Sequence, residues 1–121
     1  MGSIIRAHCK CGFESEDIYA GGGMMNFHEI CNAPAICLHC NTFLIKNYMK
    51  KYSKCPKCRK KVTFYNDSQV QEKVSESDES YYDIFSWDME EKGTFFLLNI
   101  QYYCPKCKKK SLKFVDIGNW D

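Results

Sequence analysis

The stretch Lys54-Cys55-Pro56-Lys57-Cys58-Arg59-Lys60 is echoed near the end of the chain by Tyr103-Cys104-Pro105-Lys106-Cys107-Lys108-Lys109. Two thiolates bound to one tetrahedral ion, with metal–sulfur bonds of about 2.3 Å, lie about 3.7 Å apart, and a CxxC turn presents them at that spacing. Proline after the first cysteine fixes φ and preorganises the turn. The turn's amides then point at the sulfurs and spread their negative charge. The repeat therefore reads as two halves of a metal site.

Working outward, two more pairs precede these, Cys9-Lys10-Cys11 and Cys37-Leu38-His39-Cys40, and Cys31 is left over. The CxC pair is one residue tighter, but on an extended strand residues i and i+2 face the same side, so both sulfurs reach one ion. Four pairs make two four-ligand sites. Sequential pairing gives Cys9, Cys11, Cys37 and Cys40 in one site and Cys55, Cys58, Cys104 and Cys107 in the other. A cross-brace, first pair with third and second with fourth, is the alternative. The residue after a second cysteine usually has positive φ; Gly12 suits this, Asn41 passably, Arg59 and Lys108 less well. Cys31 reads as a small buried hydrophobe, with a ligand role as its alternative. His8 and His39 adjoin ligand cysteines and offer a variant site of three cysteines and one histidine, whereas His28 has no spaced partner.

Composition sets the frame for this reading. A chain of 121 residues is one domain or two miniature modules. Nine cysteines signal either a disulfide framework or metal ligation. The first ten residues hold no apolar run of signal-peptide type, and no stretch approaches a membrane span of about 20 residues. Arg6 stands where a myristoylation signal would have Ser or Thr. The expectation is a reducing, cytoplasmic setting with no membrane partner, hence metal ligation.

The fold expected is small, metal-bound and mainly β: two modules of short antiparallel strands with minor helix, over 1–48 and 49–121. Residues 95–103 (FFLLNIQYY) and 111–117 (SLKFVDI) read as arms of a hairpin around the last cysteine pair, and 62–65 as a shorter strand. The polar, acidic 66–83 reads as a mobile insert. Residues 81–89 (YYDIFSWDM) suggest a short helix or strand covering a ribbon face.

Paired knuckles, glycine or asparagine after some of them, and hairpin arms resemble the zinc-ribbon and rubredoxin-like families, across both halves of the chain except the acidic insert. The opening CKCGF with GGGM and CLHC also resembles small uncharacterised bacterial zinc-ribbon proteins. The resemblance implies a fold and a metal, two Zn²⁺ ions, but no activity. Tetrahedral S₄ sites also suit iron, although rubredoxins prefer glycine after each second cysteine. CPKC is similar, too, to the redox motif of glutaredoxin-like enzymes, which needs a βαβ frame with the motif opening a helix; here both copies lie between strand-like runs. That leaves thiol-disulfide or metal-handling work as the alternative to a non-catalytic interaction module. No HExxH, Walker loop or nucleophile elbow is present, and no small-molecule substrate suggests itself.

Charge bears on partners. Residues 46–61 hold eight basic and no acidic side chains, whereas 67–91 hold nine acidic residues and one lysine. Lys57, Arg59 and Lys60 beside one CPKC, and Lys106, Lys108 and Lys109 beside the other, with Tyr48, Tyr52, Tyr102 and Tyr103 nearby, are candidate nucleic-acid contacts. Against this, a zinc ion on four thiolates carries a net charge of about −2, so two sites move the formal +2 to about −2. Nucleic acid and protein both stand as partner classes.

Overall fold

In β9 (Lys110–Trp120), Leu112 and Phe114 turn inward while Lys113 and Val115 are exposed, and this strand organises the molecule. The computed structural model describes residues 2–22, 30–48, 53–72, 81–89 and 93–120. β1 (Gly2–Cys9) lies antiparallel to β9, with Gly2 opposite Trp120 and Cys9 opposite Leu112. Ile4 faces Gly118 while Ile5 faces Asp116, so Ile117 is the extra residue of a bulge. β2 (Ile18–Ala20) flanks β1 and β8 (Tyr102–Tyr103) flanks β9, giving the sheet order β2-β1-β9-β8.

A second sheet has β3 (Asn32–Cys37) between β4 (Thr42–Asn47) and β5 (Thr63–Phe64). The third is a hairpin of β6 (Asp83–Met89) and β7 (Gly93–Leu98). All pairings are antiparallel, so the molecule is a small, mainly-β protein, as the sequence indicates. Among the described residues, helix is limited to one 3₁₀ turn, Ser68–Val70, and no helix is long and apolar enough to cross a membrane.

Three expectations change in detail. The run 95–103 is not one hairpin arm: its first part belongs to β7 and pairs with β6, and only β8 pairs with β9. The break comes at Asn99 to Gln101, where the Asn99 side chain accepts from the Tyr82 amide and its own amide donates to the Tyr82 carbonyl, closing the hairpin's base. Within the supposed insert, 66–72 is ordered by Val70, which is buried, and by Asp67, whose carboxylate accepts from the Gln69 amide; residues 73–80 lie outside the described set. Pairing of β1 with β9 also joins the two stretches expected as separate modules, 1–48 and 49–121.

The main core is aromatic where the sheets meet. Tyr65, Tyr102 and Phe114 contact one another edge to face, with ring centres 5.2 to 5.8 Å apart, a geometry that sets positive ring edges against negative faces. Their polar ends are satisfied: the Tyr65 hydroxyl donates to the Tyr103 carbonyl at 2.8 Å, and the Tyr102 hydroxyl accepts from the Leu98 amide at 2.8 Å. Phe43 of β4 joins this group through Tyr65. A smaller cluster, Ala35, Cys37, Cys55 and Val62, is separate from it.

Candidate metal centres

The ends of the strands carry the thiols. Cys9 closes β1 and Cys11 follows in the next turn, while Cys104 and Cys107 lie in the turn joining β8 to β9. Since β1 and β9 are neighbours, these four come together at one end of the first sheet. Cys37 closes β3 and Cys40 sits in the β3–β4 turn; Cys55 and Cys58 occupy a knuckle whose short arms bridge at Lys54 and Lys61. The second sheet's centre thus gathers the remaining four. Within each quartet all ligand atoms lie within 4.8 Å of one another.

The pairing is nested. The first cysteine pair joins the last and the second joins the third, in place of the sequential pairing expected and of the cross-brace. The physical reason is the β1–β9 ladder, which carries Cys9 to the last knuckle. Consequently the two CPKC turns serve different quartets. Cys31 belongs to neither: it is fully buried in the main core, where burial pushes its thiol up to about 12. His8 and His39 are likewise outside both quartets, and His28 lies outside the described residues.

Sulfur separations match a tetrahedral ion. Cys9 to Cys107 and Cys11 to Cys104 are both 3.7 Å, and Cys37 to Cys58 is 3.5 Å, against about 3.7 Å for an S₄ site with bonds of about 2.3 Å. All nine cysteines are free thiols. Each quartet supplies four soft ligands, which suit zinc or iron, and the two can hold one ion each.

The backbone around both CPKC turns repeats bond for bond. The Cys55 amide donates to the Lys60 carbonyl and the Arg59 amide to the Cys55 carbonyl; Cys104 with Lys109 and Lys108 with Cys104 do the same, all at 2.8 to 2.9 Å. Amides of Cys58 and Lys57 face the Cys55 sulfur, and amides of Cys107 and Lys106 face that of Cys104. All four residues that follow a second cysteine have positive φ: Gly12 (104°), Asn41 (52°), Arg59 (62°) and Lys108 (60°). The knuckle thus forces a left-handed residue there whatever its type.

Electrostatics favours thiolate. Amides of Cys58 first, and of Lys57, draw the Cys55 thiol down to about 7 against the opposing effect of burial. The Ser111 hydroxyl is the main cause that draws Cys107 down to about 6. For Cys9 burial acts upward, but Ser111 and the Cys11 amide outweigh it. In each quartet another thiol is held up at about 12, Cys40 by its hydrogen bond to Cys58 and Cys104 chiefly by burial. Four sulfurs this close retain protons between them unless a cation replaces those protons.

Ser111, 3.0 Å from the Cys9 sulfur and 3.3 Å from that of Cys107, is a site residue that cysteine spacing does not reveal. Its one sequence signal is a hydroxyl four residues after the second cysteine of a knuckle that turns back into a strand. The lysines are shared out between the quartets. Lys57, Arg59 and Lys60 are exposed beside one, Lys106, Lys108 and Lys109 beside the other. The Lys60 ammonium lies 3.3 Å from His39 Nδ1, and Lys106 Nζ would lie 3.6 Å from a Cβ placed on Gly12. Tyr52 lies outside the described residues.

No family model, curated protein or solved structure matches the chain.

Proposed function

We propose that the chain is a non-catalytic zinc protein of zinc-ribbon type, in which two closed four-cysteine sites hold a β scaffold that binds a partner protein. The observation that carries the metal reading is the pair of quartets, each with its sulfurs within 4.8 Å of one another and with Cys9–Cys107, Cys11–Cys104 and Cys37–Cys58 at 3.5 to 3.7 Å. Four sulfurs per ion leave no open coordination position for substrate or water, as structural sites do. The thiols are free, in keeping with a reducing compartment such as the cytoplasm. Both CPKC turns lie between strands, not at the start of a helix, which weighs against thiol-disulfide exchange.

A protein partner is favoured over nucleic acid because each group of lysines sits beside its own quartet. Sequential pairing would have brought both groups to one tip; nested pairing sets each against about −2 of zinc-thiolate charge. The zinc contribution is large: structural sites supply about 10–16 kcal/mol each in finger peptides, against a whole net stability of about 5–15 kcal/mol for an ordinary domain.

Native mass spectrometry is expected to find two zinc ions per chain, and chelation to abolish the β-sheet circular dichroism. A metal-free protein carrying four disulfides sinks the proposal. Nucleic acid as partner predicts salt-dependent binding that Lys57, Lys60, Lys108 and Lys109 changed together to Glu would remove without loss of zinc. The present reading predicts no such binding by the wild type.

A further inference from the structure

β4 is an edge strand whose first four residues lack the protections that edges usually carry; the strand's one lysine, Lys46, follows them. In the order β4-β3-β5 its other side has no strand beside it among the described residues. Its pairing with β3 runs from Thr42 to Asn47 with no bulge, and Thr42-Phe43-Leu44-Ile45 contains neither charge nor proline. Natural sheets blunt an open edge with lysine, proline, a bulge or a covering loop. β4 also has no fully buried residue, whereas β3 beside it is buried at five of six positions; Ile45 is 44% exposed.

A groove of about 560 Å³ runs along this strand, within the range of about 300–1,000 Å³ usual for ligand clefts. All of residues 41–45 line it. Side chains of a strand alternate between faces, so a groove touching five consecutive residues follows the strand's backbone edge, not one of its faces. Phe13, Ser15 and Glu16, from the chain leaving the CxC turn, and Pro105 and Lys106, from the last knuckle, also line it. Phe13 packs against Phe43 with ring centres 5.8 Å apart. The metal-bound turns thus stand beside an open strand.

From this we infer that the groove binds an extended peptide segment of a partner protein, which adds as a strand to β4. Main-chain bonds to the free edge supply affinity, and alternate apolar side chains meet Phe13, Phe43 and Ile45. A second copy of the chain pairing through its own β4 is the competing occupant, which the test below separates. A polyanion fits poorly: Glu16 and Lys106 are the charged lining residues and balance each other, so the complementary segment is uncharged. This inference rests on the proposed zinc-held, protein-binding scaffold and names the partner's chemistry.

The test uses zinc-loaded full chain, its two ions first counted by native mass spectrometry, so that a failure of the metal reading is seen separately. A phage library of random dodecapeptides is panned on it, and enriched peptides are synthesised. Expected are uncharged sequences with alternating apolar residues, which shift the amide resonances of 42–45. N-methylation of the peptide along one edge should weaken binding at least about tenfold, as should Ile45→Lys, an exposed change that leaves the zinc count at two. The inference is overturned by any of four results: no enrichment, binding indifferent to both changes, a dimer paired through β4, or an oligonucleotide taking the same groove in place of peptide.

Discussion

Arg59 and Lys108 show how much a knuckle imposes on single residues. Both adopt a left-handed conformation that costs a residue with a Cβ about 1–2 kcal/mol. Gly12 has that conformation without the penalty. Arg59→Gly and Lys108→Gly are therefore expected each to raise the stability of the metal-loaded protein by about 1 kcal/mol, read from denaturant midpoints. A loss of stability would mean that the arginine or lysine side chain contributes more than its backbone strain. Ser111 is the second case. Its hydroxyl reaches two sulfurs of one quartet, so Ser111→Ala should weaken one of the two proposed zinc sites about 10–100-fold in a chelator competition and leave the other unchanged. Equal weakening of both sites, or of neither, contradicts the assignment. Cysteine spacing discloses ligands because coordination geometry is local; it is silent on Ser111, whose position depends on how β9 leaves the turn.

At the scale of elements, alternation and β-branched or aromatic content mark β9 and the 95–98 part of β7 in the sequence, because one face of each is buried. The split of 95–103 between β7 and β8 was not legible: Asn99 interrupts an otherwise continuous apolar run, and only its partner Tyr82 reveals why. β1 carries a strand signal that cysteine spacing passes over, since its inward residues Ile5, Ala7 and Cys9 alternate with Arg6 and His8. Gly21 carries another hidden constraint. Its φ is 90°, and a Cβ there would lie 2.7 Å from the Trp87 ring, so Trp87 of the β6–β7 hairpin packs directly on this glycine at the end of β2. Gly21→Ala should cost about 2–4 kcal/mol from strain and overpacking together, with a red shift of tryptophan emission as Trp87 is displaced. Unchanged emission and stability would show that the hairpin does not depend on this contact.

For the whole molecule, the number of four-cysteine clusters was readable from four cysteine pairs, but their pairing was not. Closing a loop severalfold longer costs only about 1 kcal/mol more, so chain separation barely discriminates sequential, cross-braced and nested arrangements. The decision lies with strand pairing: β1 and β9, from opposite ends of the chain, form a ladder from Gly2–Trp120 to Cys9–Leu112 and bring the outer cysteines together. The nested order also assigns the two basic knuckles to different quartets. One measurement tests this centre of the account most directly: cadmium–proton correlation NMR on the protein with zinc replaced by cadmium. Two cadmium resonances are predicted, one coupled to the β-protons of Cys9, Cys11, Cys104 and Cys107 and the other to those of Cys37, Cys40, Cys55 and Cys58. A resonance coupled to both Cys55 and Cys104, or a single bound ion, would contradict it.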